Sequence, residues 1–425
     1  MNRWLKGRIN RQGISLVLLC CLALVYLLNC FTPLRITHDV TRYLLLEDWM
    51  ENGWPRGTWV DRDFLPYGYS YTLFLLSKLH LLHAFFIALL NTLFLAGALW
   101  FVSRIFAKNV SGWQWVFLVL LNWTTIKLAI TPMPEMQYLF FSAGALFFYQ
   151  KFRENGKVGF ILPAILFFFA GLMTRTVGIT LFIALLCSLV HEKRHLTVTK
   201  TYQNIMFASG SLISVIAIVY FSHGLRISDY LRYFRGPLDM AGPSGWFLSI
   251  AAHFSKDWAE LFVNAPSSKI PVIPTSLTVL VFSIVGLTML GVVLKRLSGQ
   301  NTGIPVIVKY YMLVYILVIF NWPYHECRFW LPLLPFLSIS LMRDAGNEGV
   351  SRRRWALAAK SWYIAAGVFA LSYYSYTSFN KEALAHNQDA GVWRKEYEFH
   401  FFGRTAPDST SRPNELVTGL LKKMD

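Results

Sequence analysis

Four short stretches of this chain concentrate the side chains that could do chemistry. The first is Thr37-His38-Asp39-Val40-Thr41-Arg42-Tyr43, a few residues after an apolar run. A carboxylate held close to an apolar surface is partly desolvated, which raises its basicity, so Asp39 could take a proton from an incoming hydroxyl. A helix cap or a solvated surface acid is the plainer alternative. The second stretch, Thr131-Pro132-Met133-Pro134-Glu135, joins two apolar runs. Its prolines cannot continue the incoming helix and so present Glu135 at the start of the next one, where the helix dipole favours a negative charge. Helix capping alone would also account for it. In the third, Gly171-Leu172-Met173-Thr174-Arg175-Thr176, an arginine sits in a tight hairpin and could grip a lipid phosphate through two parallel hydrogen bonds, or simply snorkel to headgroups. The fourth, Trp322-Pro323-Tyr324-His325-Glu326-Cys327-Arg328-Phe329, puts a base, an acid and a cation within four residues, ahead of Leu331-Pro332-Leu333-Leu334-Pro335. Near hydrocarbon such a cluster is costly unless its members pair, as Glu326 and Arg328 could, or bind something polar. Arg226, Arg232, Arg235 and Lys256 could meet an anionic substrate, and Lys127 is a cation inside an apolar run.

The elements that must position these residues are written in the composition. Of 425 residues, 55% are hydrophobic and only 15% charged, with a mean hydropathy of +0.43; a soluble domain could not hide that much apolar surface, so the bilayer is the expected solvent. The formal net charge of +17 punctuates the spaces between apolar runs instead of clustering on one stretch. That pattern argues against nucleic acid and for anionic lipid headgroups as the partner of the charge. The five cysteines suggest neither a disulfide framework nor a metal site.

A helix crossing the hydrocarbon core needs about 20 mostly apolar residues, and by that measure about eleven segments qualify: 13–31, 84–106, 115–131, 136–150, 158–173, 177–191, 204–223, 276–294, 308–321, 329–342 and 360–377. The basic N-terminal stretch and its apolar run resemble a signal peptide but lack a small-x-small cleavage site, so they read as a retained first helix. The stretch 64–82 is apolar but carries Pro66, Gly68 and three tyrosines, and reads as a helix on the membrane surface. With the N-terminus inside, acid-poor loops such as that of Arg352, Arg353 and Arg354 fall on the cytoplasmic side, as the positive-inside rule requires. The expected architecture is therefore an all-α polytopic membrane domain over 1–377. Its long outer loops are 32–83, with amphipathic surface helices and Trp49, Trp54 and Trp59, and 224–275; a non-cytoplasmic tail occupies 378–425.

In this order and on one face, these pieces resemble the GT-C superfamily of membrane glycosyltransferases, which take sugars from polyprenyl-phosphate carriers. The likeness rests on Asp39 in the Asp-x-x-x-Tyr pattern ending at Tyr43, on Pro66-Tyr67-Gly68-Tyr69-Ser70, on the Gly171–Arg175 turn, and on Glu326-Cys327-Arg328-Phe329 before Leu331–Pro335. It spans residues 1 to about 342. The last motif is similar to the His-Lys-Glu-x-Arg-Phe signature of the lipid-linked mannosyltransferase branch, except that His325 directly precedes Glu326 and the lysine is absent. The resemblance implies that Asp39 deprotonates an acceptor hydroxyl, which attacks the anomeric carbon with inversion and expels polyprenyl phosphate. It further implies that Arg175 and Arg328, with His325 as a hydrogen-bond donor, meet the departing phosphate. Glu135 and Glu326 would orient sugar hydroxyls or the arginines, and Tyr43, Arg226, Arg232 and Arg235 would be accessory. No metal or other cofactor is expected, the acceptor being a glycan, lipid or protein, and the expected location is a bacterial inner membrane with the active site outside.

Two other readings fit part of the pattern. A polysaccharide polymerase or ligase would place key arginines in a late outer loop, where Arg226, Arg232 and Arg235 lie, but gives Asp39 no role. A secondary transporter or flippase would show repeated halves and polar groups at midplane, whereas here no duplication is visible and the polar residues gather at one face.

Overall fold

In a computed structural model the described residues are 2–53, 65–107, 113–192, 208–216, 227–269, 275–299, 303–342, 350–404 and 412–424. Among them the structure is helical throughout and contains no strand. Helices α1 (Asn2–Asn29), α2 (His38–Asn52), α3 (Gly68–Lys78) and α4 (Ala84–Ile105) come first, then α5 (Gln114–Leu120), α6 (Trp123–Ala129), α7 (Glu135–Asn155), α8 (Ile161–Thr174) and α9 (Ile179–Glu192). The second half holds α10 (Ile227–Ser255), α11 (Asp257–Val263), α12 (Thr275–Ser298), α13 (Val306–Phe320), α14 (Leu334–Met342) and α15 (Val350–Phe379), and the tail holds α16 (Lys381–Asn387), α17 (Arg394–Phe402) and α18 (Arg412–Met424).

Two of these helices, α4 and α12, are long and apolar enough to cross a membrane, and five shorter apolar helical stretches accompany them. Apolar side chains do not all turn inward: Leu277, Val279, Leu280, Val281, Ile284 and Leu287 of α12 are exposed. The expected span 115–131 is not one helix but two. Leu121 closes α5 and Asn122 caps α6, accepting from the Thr124 amide at 3.1 Å, while its own side-chain amide donates to the Leu261 carbonyl and the Tyr363 hydroxyl. An asparagine that satisfies loose helix-end groups is a stop and start signal even inside an apolar run. Likewise 329–342 opens as a 3-10 turn over Cys327–Leu333 containing Pro332 before α14 begins, because proline cannot donate the next helical hydrogen bond. The stretch 64–82 does form a separate short helix, α3, of 11 residues. Most of the expected span 204–223, together with Trp54 and Trp59, lies outside the described residues.

The core is built around α7, which packs between α4 and α8. A wedge of rings fills the seam, Phe101 meeting Phe140, Phe147 and Phe167 at 5.4 Å each. Gly144 makes room for it, since a Cβ there would run into the Phe167 ring. Around this centre α9 lies on α13, α10 on α12, and α14 on α5.

The tail closes over the first loop. The Tyr397 hydroxyl donates to the Leu34 carbonyl at 2.6 Å and accepts from the Ile36 amide at 2.9 Å, and Gln388 donates to the Ile36 carbonyl at 2.7 Å. Arg35 is buried and donates to Thr377 and Ser378 of α15; burial lowers its pKa to about 10, against the opposing pull of nearby tyrosines. Farther along, Lys423 of α18 reaches Glu47, Asp48 and Glu51 of α2. The helix that begins with His38-Asp39 is thus anchored from behind by the end of the chain.

Candidate active site: four carboxylate and arginine segments converge

Helix α2 starts in a way that frees Asp39. Its N-cap is Thr37, whose hydroxyl accepts from the Val40 amide at 3.4 Å. Asp39 therefore neither caps the helix nor stands free in solvent. Its carboxylate accepts from Arg328 through one oxygen and from Arg42, one turn along, through the other at 3.2 Å. Arg328 also lies against Glu326, with Nη2 3.1 Å from Oε1 and Nε 2.6 Å from Oε2. The pairing of Glu326 with Arg328 inside their own loop is thus present, but it is only one edge of a larger network.

The second half of that network comes from α7 and α8. Pro134 precedes the helix and Glu135 is its first residue, with no side-chain cap; its carboxylate accepts from Arg175 and stands 4.0 Å from the Arg328 Nε. Arg175 is the residue at which α8 stops, in an extended conformation, with its amide donating to the Gly171 carbonyl at 3.0 Å. Both guanidinium groups lie over the ring of Phe329, Arg175 at 5.2 Å and Arg328 at 5.0 Å. Gly68 presses α3 into the same corner, for a Cβ there would sit 2.5 Å from the Met173 carbonyl oxygen. Asp39, Glu135, Arg175, Glu326 and Arg328 therefore form one site from four segments of the chain.

Exposure falls from rim to floor: the Glu326 side chain is 51% exposed, Asp39 24%, Arg175 17%, Arg328 14% and Glu135 0%. Burial would push the Asp39 carboxyl up, but the charges of Arg328 and then Arg42 outweigh it and hold the group below its ordinary range. Burial likewise opposes the charge on Arg328, yet Glu135, Glu326 and Asp39 together hold it more strongly protonated than a free arginine. Tyr43, buried one turn after Asp39, is pushed up by burial and feels the charges of Arg175, Glu135, Asp39 and Arg328. Three acids and the three arginines 42, 175 and 328 balance in formal charge. Among the described residues no three His, Cys, Asp or Glu side chains are placed to hold a metal ion.

Not every expected residue joins this site. His325 turns the other way: its Nε2 donates to the Ser249 carbonyl at 2.9 Å, and its ring lies 4.4 Å from that of His253. His253 in turn bridges Asp257 at 2.8 Å and the Trp322 carbonyl at 2.8 Å, with Trp330 donating to Asp257 at 2.7 Å. His325 thus helps fasten the loop that carries Arg328 to α10. Arg232 and Arg235 are exposed on α10, Arg226 lies outside the described residues, and Lys127 is half-buried on α6. Near Arg232, Tyr233 packs 5.8 Å from Tyr324, which is within electrostatic reach of Arg42 and Asp39.

Residues that motif reading left without a role are Arg42 and Tyr69. For Arg42 the signal was present, since an acid and an arginine three apart on a helix are neighbours; Tyr69 had none beyond its place in Pro66-Tyr67-Gly68-Tyr69-Ser70. No protein-family profile and no curated protein matches this chain.

Proposed function

We propose that this chain is a multi-pass membrane glycosyltransferase that moves a sugar from a polyprenyl-phosphate donor to a hydroxyl acceptor, with inversion, on the non-cytoplasmic face. The observation that carries the reading is the convergence of Asp39, Glu135, Arg175 and Arg328, drawn from segments up to 289 residues apart, in one site that runs from the buried Glu135 to the exposed Glu326. In the proposed topology about eleven helices cross the bilayer, counted at about 20 apolar residues each. The N-terminus is cytoplasmic, the C-terminus and the site are outside, and the expected membrane is a bacterial inner membrane. The apolar side chains exposed along α12 support a lipid-facing surface.

The chemistry follows from the pairing. An acceptor O–H gives its proton to an Asp39 oxygen while the acceptor oxygen bonds to the anomeric carbon. The bond from that carbon to the phosphate oxygen breaks, and its electron pair leaves with polyprenyl phosphate. Charge grows on the departing phosphate, so arginines already fixed over Phe329 stabilise the transition state more than the ground state. Arg328 is bound to Asp39 and keeps it a weak base. A donor phosphate competes for Arg328, and as that contact transfers to phosphate, Asp39 regains basicity only when a donor is present. Glu135 holds Arg175 in place during the exchange.

The test is transfer of radiolabel from a panel of undecaprenyl-phosphate hexoses to a membrane-lipid extract by purified protein in detergent. Wild type transfers label, whereas Asp39→Asn, which keeps the shape and removes the base, stays folded, binds donor and transfers at least about 10²-fold less, as loss of a general base predicts. Arg328→Ala loses transfer as well. An Asp39→Asn protein that transfers as fast as wild type would refute the mechanism. No consumption of any donor by wild type would refute the function and return the polymerase and transporter readings to first place.

A further inference from the structure

At the floor of the site the second carboxylate oxygen of Glu135, Oε2, and the hydroxyl of Tyr69 are buried without a hydrogen bond, as is the Nε of Arg328, which stands 4.0 Å from the other Glu135 oxygen. Glu135 spends its other oxygen on Arg175. Tyr69, the second residue of α3, is 1% exposed, and its ring meets that of Tyr43 edge-on at 5.4 Å. The Asn91 side chain lies near enough to pull the Tyr69 hydroxyl slightly down, but its amide donates to the carbonyls of Leu128 and Thr131 at 3.4 and 2.9 Å and makes no well-formed hydrogen bond to Tyr69. The Gln137 amide, two residues past Glu135, donates at 3.4 Å to the carbonyl of Gly68, which directly precedes Tyr69, so the starts of α7 and α3 lie against each other; burial first, and the Glu135 charge after it, push the tyrosine hydroxyl well above its usual range. Leaving a buried donor or acceptor unmet is unfavourable, and an unmet pure acceptor and an unmet hydroxyl on adjoining helix starts call for a group that can satisfy both. That group accepts from Tyr69 and donates to Glu135, which is what a hydroxyl does.

We propose that Tyr69 and Glu135 Oε2 form a subsite for one hydroxyl of the sugar carried by the donor, so that Glu135 ties the sugar to the phosphate-binding arginines through its two oxygens. This rests on the donor reading above and deepens it: Tyr69 is a specificity-determining residue, and the site discriminates by a hydroxyl instead of by apolar fit. A pocket built to hydrogen-bond a hydroxyl rejects an analogue that lacks it far more strongly than an apolar pocket rejects a change of one methylene.

The experiment measures binding of bare undecaprenyl phosphate, of its glucose, mannose and galactose conjugates, and of the monodeoxy forms of whichever conjugate binds best, to detergent-purified wild type and Tyr69→Phe. Tyr69→Phe keeps the buried ring and removes only the hydroxyl. The expected result is that wild type prefers one conjugate over the bare lipid. Tyr69→Phe should then lose about three- to tenfold in affinity for that conjugate, the size of one net hydrogen bond, and nothing for the bare lipid or for one monodeoxy form. If both proteins bind the bare lipid and every conjugate alike, the subsite is wrong while the lipid-phosphate reading stands. If wild type binds neither bare lipid nor conjugate, the donor reading fails and takes the subsite with it. Should Tyr69→Phe melt early, a structure of wild type with the preferred conjugate decides instead: a sugar hydroxyl between Tyr69 and Glu135 supports the subsite, and a retained water there overturns it.

Discussion

Glu135→Gln is the substitution on which the account of the site depends most. It keeps the shape of a fully buried side chain and removes its charge, leaving Arg175 and Arg328, themselves 17% and 14% exposed, without the acid between them. Breaking a buried ion pair by deleting one member costs about 3–5 kcal/mol, because the remaining charge stays buried and uncompensated. Arg328 keeps Asp39 and Glu326, so the loss falls mainly on Arg175 and the lower end of that range, about 3 kcal/mol, is expected. Glu326→Gln is the internal control. It also removes a carboxylate paired with Arg328, but from a side chain 51% exposed, where water takes over and the cost is about 0–1 kcal/mol. Equilibrium unfolding of each variant in mixed micelles, followed by tryptophan fluorescence, measures the two losses directly. Adding Arg175→Gln to Glu135→Gln should cost less than the sum of the two single changes, since both remove the same pair. If Glu135→Gln is no more destabilising than Glu326→Gln, the floor of the site is wetter than its burial implies, and Glu135 does not hold the arginines.

Two further outcomes follow from the same geometry. Burial pushes the Glu47 carboxyl from 4.5 up to about 7, against the opposing charge of Lys423; a folded-state value above the unfolded one means its contribution is full below pH 4.5 and is lost as pH rises through about 7. Glu47→Gln should therefore melt at a higher temperature than wild type at pH 8 and show no such advantage at pH 5, and equal differences at both pH values would contradict the burial of this carboxylate. Gly68→Ala would set a Cβ 2.5 Å from the Met173 carbonyl oxygen, two residues before Arg175, so that α3 and α8 must part. Melting and transfer assays should show a loss of about 1–3 kcal/mol from overpacking and a fall in turnover on the order of 10²-fold from a displaced arginine; a stable, fully active variant would mean that this corner does not position Arg175.

Read alone, the chain reveals what depends on near neighbours. Apolar runs predict helices, and Pro132 and Pro134 predict the break that puts Glu135 first in α7. Pro66 and Gly68 predict that 64–82 does not form one long helix, and the four polar motifs are visible where they lie. Each of these rests on a helix-end or backbone rule that acts over a turn or two. The Asn122 break in 115–131 escaped that reading, because one capping residue inside an apolar run does not change its mean hydropathy. What only the tertiary structure decided is which of those groups meet. Asp39 and Arg328 are 289 residues apart, and Glu135 and Arg175 are 40 apart. The clasp between Tyr397 and Leu34 spans 363 residues. His325 sits in the same motif as Arg328 yet faces His253 and Ser249, because successive residues of a loop point to different sides and packing, not spacing, selects the side. The charge that makes Arg175 or Glu135 costly near hydrocarbon is apparent from residue type, but the partner that offsets the cost is chosen by the fold.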